Sequence, residues 1–518
     1  MEILLAYSKK VNLPISLLTS SRLFIFILSI LFLGVSMIGP PNVKIFSIMA
    51  SFDIHDLYSI YLNADSMFRM PDTYLRLTLF TISMLLLFLV PNFKIKEELC
   101  FKFKDNHILI IIFLFFIFYL SSQHIYNILG LVLIISSMYY YVFSFEYDLR
   151  KSEALFLSSY VLIFLYPFYQ SLFIPSTLSE VDNYLRFLFA IPLYLLIRTI
   201  NINKTQLLYS VNFISFAVGI IALFFLITHG DIRLRGFTST SAIFANISLL
   251  LFILSVSTIK TFYSDFNKHM YLPVLASLSA LSAWSLTGSR GSLIMIIFLS
   301  IIILFNKHYQ KIFIPDRKSF GLFAIFLFSI FLYQSDSMTR IHNAYNSTYN
   351  YITESSGHSW THKDSIIPRL SIWSASINMI QDNPGLGVGL NNYNQALNDE
   401  IVKGNIPPIR NDRSNYTAGM NHAHNQYLDI FSKTGIIGFL TLIYFIAMNF
   451  YYFYHRFAIN RDNIPSLMGL LVLISYSSYM MYHTILSHQQ SVLFMTFTLS
   501  IFAGLSFSYS RGTVKDKS

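Results

Sequence analysis

The chain has few charged residues and almost no cysteine. Charged side chains make up 12% of its 518 residues, whereas apolar ones make up 54%. So small a charged fraction argues against an ordinary soluble domain and is typical of a chain that crosses a membrane many times. The single cysteine, Cys100, excludes a disulfide framework and a metal site built from thiolates.

Apolar runs recur along nearly the whole length, and each predicts a membrane-spanning helix. These runs are 23–39, 77–90, 108–120, 126–144, 154–174, 187–203, 207–228, 241–259, 271–286, 291–305, 319–333, 435–454, 464–485 and 491–509. Several are shorter than the roughly 20 residues that a crossing needs, so we expect an all-α polytopic bundle of about 12–14 spans. The chain would then divide into an N-terminal bundle (1–333), a large polar loop (334–425) and C-terminal helices with a tail (426–518).

Lysine and arginine alternate between the two sides of this predicted bundle. If the N-terminus is cytoplasmic, every second connection is basic, as the positive-inside rule requires. The net charge of +10 is then mostly a topology signal, and we expect membrane lipids but no nucleic acid as partners. The alternation places the loop 334–425 outside, which in a bacterium is the periplasm, and both termini in the cytoplasm.

Three arginines on short outer connections depart from this rule. They are Arg233, Arg235 and Arg290. A guanidinium presents a planar fork of donors that matches phosphate oxygens and does not lose its charge, so these positions are candidates for binding a phosphate group. The alternative is structural: the side chains reach lipid headgroups, or they pair with Asp231 or Glu180.

The outer loop contains a predicted helix over residues 369–380. Its apolar residues recur at helical spacing: Leu370, Trp373, Ile377 and Ile380. This pattern indicates an amphipathic helix along the membrane surface. Arg369 lies at the helix N-terminus, where the helix dipole disfavours a cation. A nearby lipid diphosphate would resolve this conflict, and an ion pair with Asp364 is the alternative.

A glycine-rich turn, Gly385–Gly389, follows the helix. It is weak as a phosphate-binding loop because no strand of a βαβ unit precedes it. We predict instead a tight turn that packs the chain against the bundle.

Two histidines lie near the end of the loop, in the run His422-Ala423-His424-Asn425. An imidazole with a pKa near 6.5 can accept a proton from an attacking hydroxyl at neutral pH. Two histidines at this spacing, with no cysteine or firm carboxylate pair beside them, make a poor zinc site, so we expect no metal. An inert surface histidine is the alternative.

The last of these residues resemble a known motif. His424-Asn425, nine residues and then Gly435-Ile436-Ile437-Gly438 is similar to the signature of the bacterial O-antigen ligase and polymerase family. The segment 369–389 resembles the block that precedes that signature, and Arg233 and Arg290 resemble family positions on two earlier outer turns. These likenesses span about residues 233–440 in the expected order. Phe439, after the last glycine, departs from the version frequent in ligases, so ligase and polymerase both stay open.

The resemblance implies a GT-C-like membrane glycosyltransferase of the bacterial inner membrane that needs no metal or other cofactor. The implied donor is a glycan on undecaprenyl diphosphate. The acceptor would be a lipid A-core sugar for a ligase, another lipid-linked repeat unit for a polymerase, or a protein hydroxyl for an O-oligosaccharyltransferase. From a different class, a transporter of polyprenyl-linked glycans remains the alternative, which the scarcity of charged residues within the spans argues against.

The resemblance and the chemistry together assign roles to eight residues. His424 would be the general base, with Arg290 and Arg369 as the catalytic cations that stabilise the leaving diphosphate. The residues expected to bind substrate are Arg233, Arg235, His422, Asn425 and Trp373.

Overall fold

A computed structural model describes ten stretches of the chain. They are residues 105–121, 125–144, 149–174, 178–200, 204–229, 233–265, 271–289, 291–296, 367–406 and 420–515. The runs predicted at 23–39, 77–90 and 319–333, most of 291–305, and residues 334–366 of the loop lie outside them. Arg290 and Asp364 do too, so the predictions that concern these residues remain predictions.

All regular secondary structure in the described part of the chain is helical, and that part contains no strand. Its α-helices are α1 (Asp105–Ser121), α2 (Ile125–Ser144), α3 (Lys151–Phe173), α4 (Leu178–Ile197), α5 (Lys204–His229), α6 (Ser241–Asp265), α7 (Tyr271–Leu286), α8 (Ile367–Asp382), α9 (Tyr393–Val402), α10 (Gln426–Ile459), α11 (Ile464–Tyr479) and α12 (Gln489–Lys515). A short 3-10 helix, Ile485–Ser487, joins α11 to α12. The predicted all-α class is confirmed.

Five of these helices are long and apolar enough to cross a membrane, namely α3, α5, α6, α10 and α12. Four shorter apolar helices, α1, α2, α7 and α11, accompany them. Side chains such as Phe224 and Ile227 on α5 are largely exposed. Apolar surface of this kind is expected where a helix faces lipid rather than water. The protein is therefore a multi-pass membrane protein.

The chain divides into two compact units. One comprises residues 1–103 with 134–148, and the other comprises residues 104–133 with 149–518. In the second unit α12 packs against α4 and α11, α10 against α3, and α7 against α5 and α6. Every candidate functional residue discussed below belongs to this second unit.

Helix α10 is broken at Gly435, where the sequence predicted the span to begin. Gly435 has φ 66° and ψ −168°, a conformation that side chains with a Cβ avoid. Two side chains of α3 hold the carbonyls that the break releases: the Tyr166 hydroxyl donates to Thr434 O at 2.9 Å, and Gln170 Nε2 donates to Lys433 O at 2.8 Å. Helix α10 thus has a short polar segment, 426–434, ahead of its apolar span.

The glycine-rich turn packs directly on this break, as the sequence predicted. Val388 N donates to Ser432 O and Gly389 N donates to Lys433 O, each at 2.9 Å. A Cβ on Gly387, whose φ is +70°, would lie 2.5 Å from the carbonyl carbon of Lys433. The turn and the helix therefore meet backbone to backbone.

Helix α8 forms as predicted but extends over residues 367–382, and it buries a face that the pattern did not indicate. Ile372, Ala375 and Met379 are nearly inaccessible and form a small core with Tyr393 and Leu397 of α9. The predicted stripe lies on another face and is only partly covered, with Ile377 46% exposed. The outer loop after residue 366 therefore has a core of its own.

Two buried ion pairs lie close to helix ends. Asp429 and Lys433 form a buried ion pair in the first turns of α10, with 3.1 Å between Oδ2 and Nζ. Glu153, near the start of α3, pairs with Arg198, just after α4, at 3.3 Å. Of these four residues only Arg198 lies within a predicted span, and both pairs are almost fully buried.

Candidate active site

The segment that carries His422 and His424 is fixed by the start of α10. Asn425 caps that helix, its side-chain oxygen accepting from Tyr427 N and Leu428 N at 3.0 and 3.2 Å. Asp429 Oδ1 accepts from Ala423 N at 2.9 Å. Between these two anchors His424 has φ 51°, the one positive φ outside glycine among the described residues. Such strain persists only where neighbouring contacts impose it, and it frequently marks a functional position.

The connection between α11 and α12 forms a second wall of the site. Gln426 N donates to Met480 O, and Gln426 Oε1 accepts from Leu486 N, each at 2.7 Å. This brings two further histidines to the first two, and we call the four the histidine cluster: His422, His424, His483 and His488. The ring centroids of His422 and His424 are 4.5 Å apart, those of His422 and His488 5.8 Å, and those of His483 and His488 4.8 Å.

His483 and His488 were missed in the sequence. The apolar pattern placed His483 within the predicted span 464–485 and left His488 in a five-residue connection. The predicted topology did hold a signal, because it put that connection on the same side as the outer loop. His483 is 7% exposed, and its Nδ1 has no hydrogen-bond partner among the described residues.

Burial keeps the histidine cluster uncharged. The pKa of His422 is lowered to about 4, first by burial and then by Lys433 and His488. The pKa of His424 is also lowered to about 4, first by burial and then by His422 and Arg369, while Asp429 opposes the shift. Burial lowers the pKa of His483 and His488 as well. At neutral pH these imidazoles are therefore free to accept a proton.

Arg369 brings positive charge to the histidine cluster. It is half-buried in the first turn of α8, and its charge depresses the pKa values of His424 and His483. Burial lowers the pKa of Arg369 itself, which for a group that stays protonated expresses the cost of holding a charge away from water. Among the described residues no carboxylate forms an ion pair with it. An anion bound here would offset that cost.

Trp373 and Asn425 use their polar atoms to hold the backbone. Trp373 Nε1 donates to Ala423 O at 2.9 Å, which ties α8 to the segment that carries His424. The side-chain oxygen of Asn425 is occupied by the helix cap. Both residues therefore position the segment that carries His424. The Trp373 ring and the amide nitrogen of Asn425 are the parts left to contact a substrate.

The two earlier outer turns lie together. Leu234 N donates to Leu286 O at 3.3 Å, and a Cβ on Gly288 would lie 3.9 Å from Arg233 Cγ. The side chains of Arg233 and Arg235 are exposed. These contacts place both arginines beside the turn that leads to position 290.

That second turn reaches the histidine cluster through Tyr482. Gly291 faces the Tyr482 ring so closely that there is no room for a side chain. Tyr482 interacts electrostatically with Arg369, and its ring centroid is 6.4 Å from that of His483. Gly291, the residue after Arg290, therefore lies next to a side chain that contacts the histidine cluster.

This fold and this site define a multi-pass membrane protein in which four histidines and Arg369 lie together beside the start of α10. Residues 275–443 match the family model described as O-antigen ligase. The match includes most of α7, all of α8 and α9 and the break in α10, and it confirms the family resemblance of the motifs that lie within it. The family consists of membrane glycosyltransferase-like enzymes that act on lipid-linked glycans.

A relative extends the likeness beyond that segment. An uncharacterized protein of Haemophilus influenzae is 25% identical over 401 residues, which cover 74% of this chain and 94% of that protein. The aligned length is more than twice that of the family-matched segment, so the similarity includes helices outside it.

Proposed function

We propose that this protein is an O-antigen ligase of the bacterial inner membrane. It transfers a glycan from undecaprenyl diphosphate to a sugar hydroxyl of lipid A-core on the periplasmic side. The observation that carries the proposal is His424, held at positive φ beside Arg369 and three other imidazoles. In this scheme the bundle 1–333 and the helices 426–518 hold the lipid carrier, and the loop 334–425 supplies the catalytic segment.

His424 acts as the general base. It takes the proton of the acceptor hydroxyl while that oxygen forms a bond to the anomeric carbon of the donor sugar. The bond between that carbon and the phosphate oxygen breaks, and undecaprenyl diphosphate leaves with the electron pair. The local donor set suits a base better than a metal ion, because Asp429 is already engaged by Lys433 and Ala423 N.

Arg369 stabilises the charge that grows on the departing diphosphate, and Arg290, Arg233 and Arg235 complete the cationic side of the site. A guanidinium that is desolvated before substrate arrives acts strongly on that charge, because little water must be displaced when the bond breaks. His422 and Asn425 contact the substrate beside the base, and Trp373 fixes the backbone that carries His424.

The diphosphate also adjusts the base. A pKa of about 4 makes the His424 imidazole of the empty site a weak acceptor. A bound anion favours the protonated form and raises this pKa, so the donor strengthens the base that the acceptor needs.

Deleting the gene and resolving the lipopolysaccharide on a gel tests this function. A ligase leaves bare lipid A-core, with polymeric glycan still on the carrier lipid. Core bearing a single repeat unit would instead identify a polymerase, the alternative that Phe439 leaves in the sequence. Unchanged lipopolysaccharide would overturn both the ligase and the polymerase. The deletion should be restored by the wild-type gene and by His455→Gln, an exposed histidine of α10, but not by His424→Gln.

A further inference from the structure

A cavity of about 310 Å³ opens on the outer loop, between the end of α8, the glycine-rich turn and one face of α9. Residues from all three elements line it, among them Met379, Asn383, Val388, Gln395, Ala396 and Asp399. None of the four residues of the histidine cluster lines it. Its volume is at the lower end of what small-ligand sites occupy.

A hydrogen-bonded frame fixes the walls. Asn392 Nδ2 donates to Val388 O at 3.0 Å. Glu400, only 2% exposed, accepts from Asn378 and Asn405 at 2.8 Å and from Lys403 at 3.0 Å. These polar groups are consumed in holding α9 against α8, so the cavity is preformed.

Three other polar side chains of the lining are not consumed in this way. Asn383, Gln395 and Asp399 are exposed, and their side chains make no hydrogen bond to any described residue. Val388 and Ala396 contribute apolar groups to the same lining. A sugar ring presents hydroxyls that both donate and accept, together with an apolar C–H face. The two amides and the carboxylate match the hydroxyls of a sugar, and the apolar groups of the lining match its C–H face.

The charge of the lining selects among ligands. Three carboxylates, Asp382, Asp399 and Glu400, face one ammonium, Lys403. This excess of negative charge repels a diphosphate or an acidic sugar and accepts a neutral sugar or an amino sugar. The region around Arg369 is positively charged, so the cavity and the Arg369 region suit different parts of one lipid-linked glycan.

Backbone contacts join the cavity to the catalytic segment. Its wall at Val388 donates to Ser432 O, and the adjoining Gly389 donates to Lys433 O. Lys433 pairs with Asp429, which in turn holds Ala423 N beside His424. A sugar in the cavity would therefore contact a part of the loop rigidly connected to the base.

We infer that this cavity is a glycan subsite, which binds an uncharged or amino sugar of the donor chain or of the acceptor while the diphosphate lies at Arg369. The inference rests on the proposed function for its substrate. It adds a site separate from the reacting atoms that determines which glycan is accepted.

Binding to the full-length protein in lipid nanodiscs tests the subsite without turnover. Two probes are followed by saturation-transfer NMR: oligosaccharide released by mild acid from the host's O-antigen, and the host's core oligosaccharide. The double variant Gln395→Ala/Asp399→Ala should bind one probe at least about ten-fold more weakly, since two hydrogen bonds are lost. Gln381→Ala, an exposed glutamine of α8 outside the lining, should bind as wild type does.

The probe that is lost shows whether the donor or the acceptor glycan occupies the cavity. Unaltered binding of both probes by a folded double variant overturns the subsite, even if the wild type transfers glycan. If the wild type shows no transfer but its oligosaccharide binding depends on Gln395 and Asp399, the proposed function fails and the subsite stands. In an active preparation the double variant should raise KM for the substrate that carries the bound glycan and leave kcat nearly unchanged.

Discussion

His424 owes its conformation to its two neighbours. The Asp429 carboxylate holds Ala423 by its backbone N–H, and Asn425 caps α10. His424, between Ala423 and Asn425, is thereby held at φ 51°. The sequence motif singled out His424 as the candidate base. The strained backbone could not be predicted, because it arises from contacts that no local pattern encodes.

The pH dependence of kcat/KM for the lipid-linked donor should show an acid limb near pH 4 rather than 6.5. This quantity reports the free enzyme, in which burial lowers the pKa of His424 to about 4. The limb in kcat should lie at higher pH, because the bound diphosphate raises that pKa. Initial rates of purified protein between pH 3 and 8 measure both limbs, and coincident limbs at 6.5 would contradict the buried neutral base.

Stability needs a control in this experiment. A histidine whose pKa is lowered on folding binds fewer protons in the native state than in the unfolded one between pH 6.5 and 4. The free energy of unfolding therefore falls as pH falls through that window. A melting curve at each pH separates loss of fold from protonation of the base.

At the scale of elements, the helices were largely predictable and their polar extensions were not. Apolar runs indicated the spans, and α10 was predicted from its glycine pair onward. Its first nine residues, 426–434, carry Asp429 and Lys433 and therefore do not resemble a span. The buried face of α8 was missed for a related reason: Ala375 and Ser376 are small, and they show as a contact surface only when α9 packs on them.

Gly435→Ala should lower the free energy of unfolding by about 1–3 kcal/mol and abolish transfer, because an alanine is strained at φ 66°. The added methyl group would also collide with the carbonyl of Gly385. Gly385→Ala is the matched control, since a Cβ there meets nothing within 4 Å. Thermal unfolding in detergent checks both variants. Equal stability would show that the break in α10 is not held by this contact.

At the scale of the whole second unit, α12 connects two polar regions. His488 lies just before its first residue, and the Phe507 ring near its other end is contacted by the guanidinium groups of Arg150, Arg198 and Arg456. The helix rise separates the two regions by about 28 Å, close to the hydrocarbon thickness of a bilayer. Charge alternation predicted opposite sides for them. The histidine cluster brings together two segments about sixty residues apart in the sequence. No local sequence pattern reveals this contact.

Glu153→Gln should destabilise the protein by about 3–5 kcal/mol, because it removes the carboxylate 3.3 Å from the buried guanidinium of Arg198. The acid limb of kcat/KM should not move, since the change lies at the far end of the helices from His424. Asp462→Asn, an exposed carboxylate near the same end, is the control. A shifted limb in Glu153→Gln would show that the two ends are electrostatically coupled.

The seam between the glycine-rich turn and α10 is made of peptide groups, with the side chains of Leu386 and Ile436 pointing away and more than a third exposed. Such a joint constrains size at its glycines, Gly387, Gly389 and Gly435, and little at Leu386 and Ile436. Divergent chains could therefore exchange side chains such as those of Leu386 and Ile436 freely and keep the imidazoles in place, so long as no methyl group is added at the glycines of the joint itself.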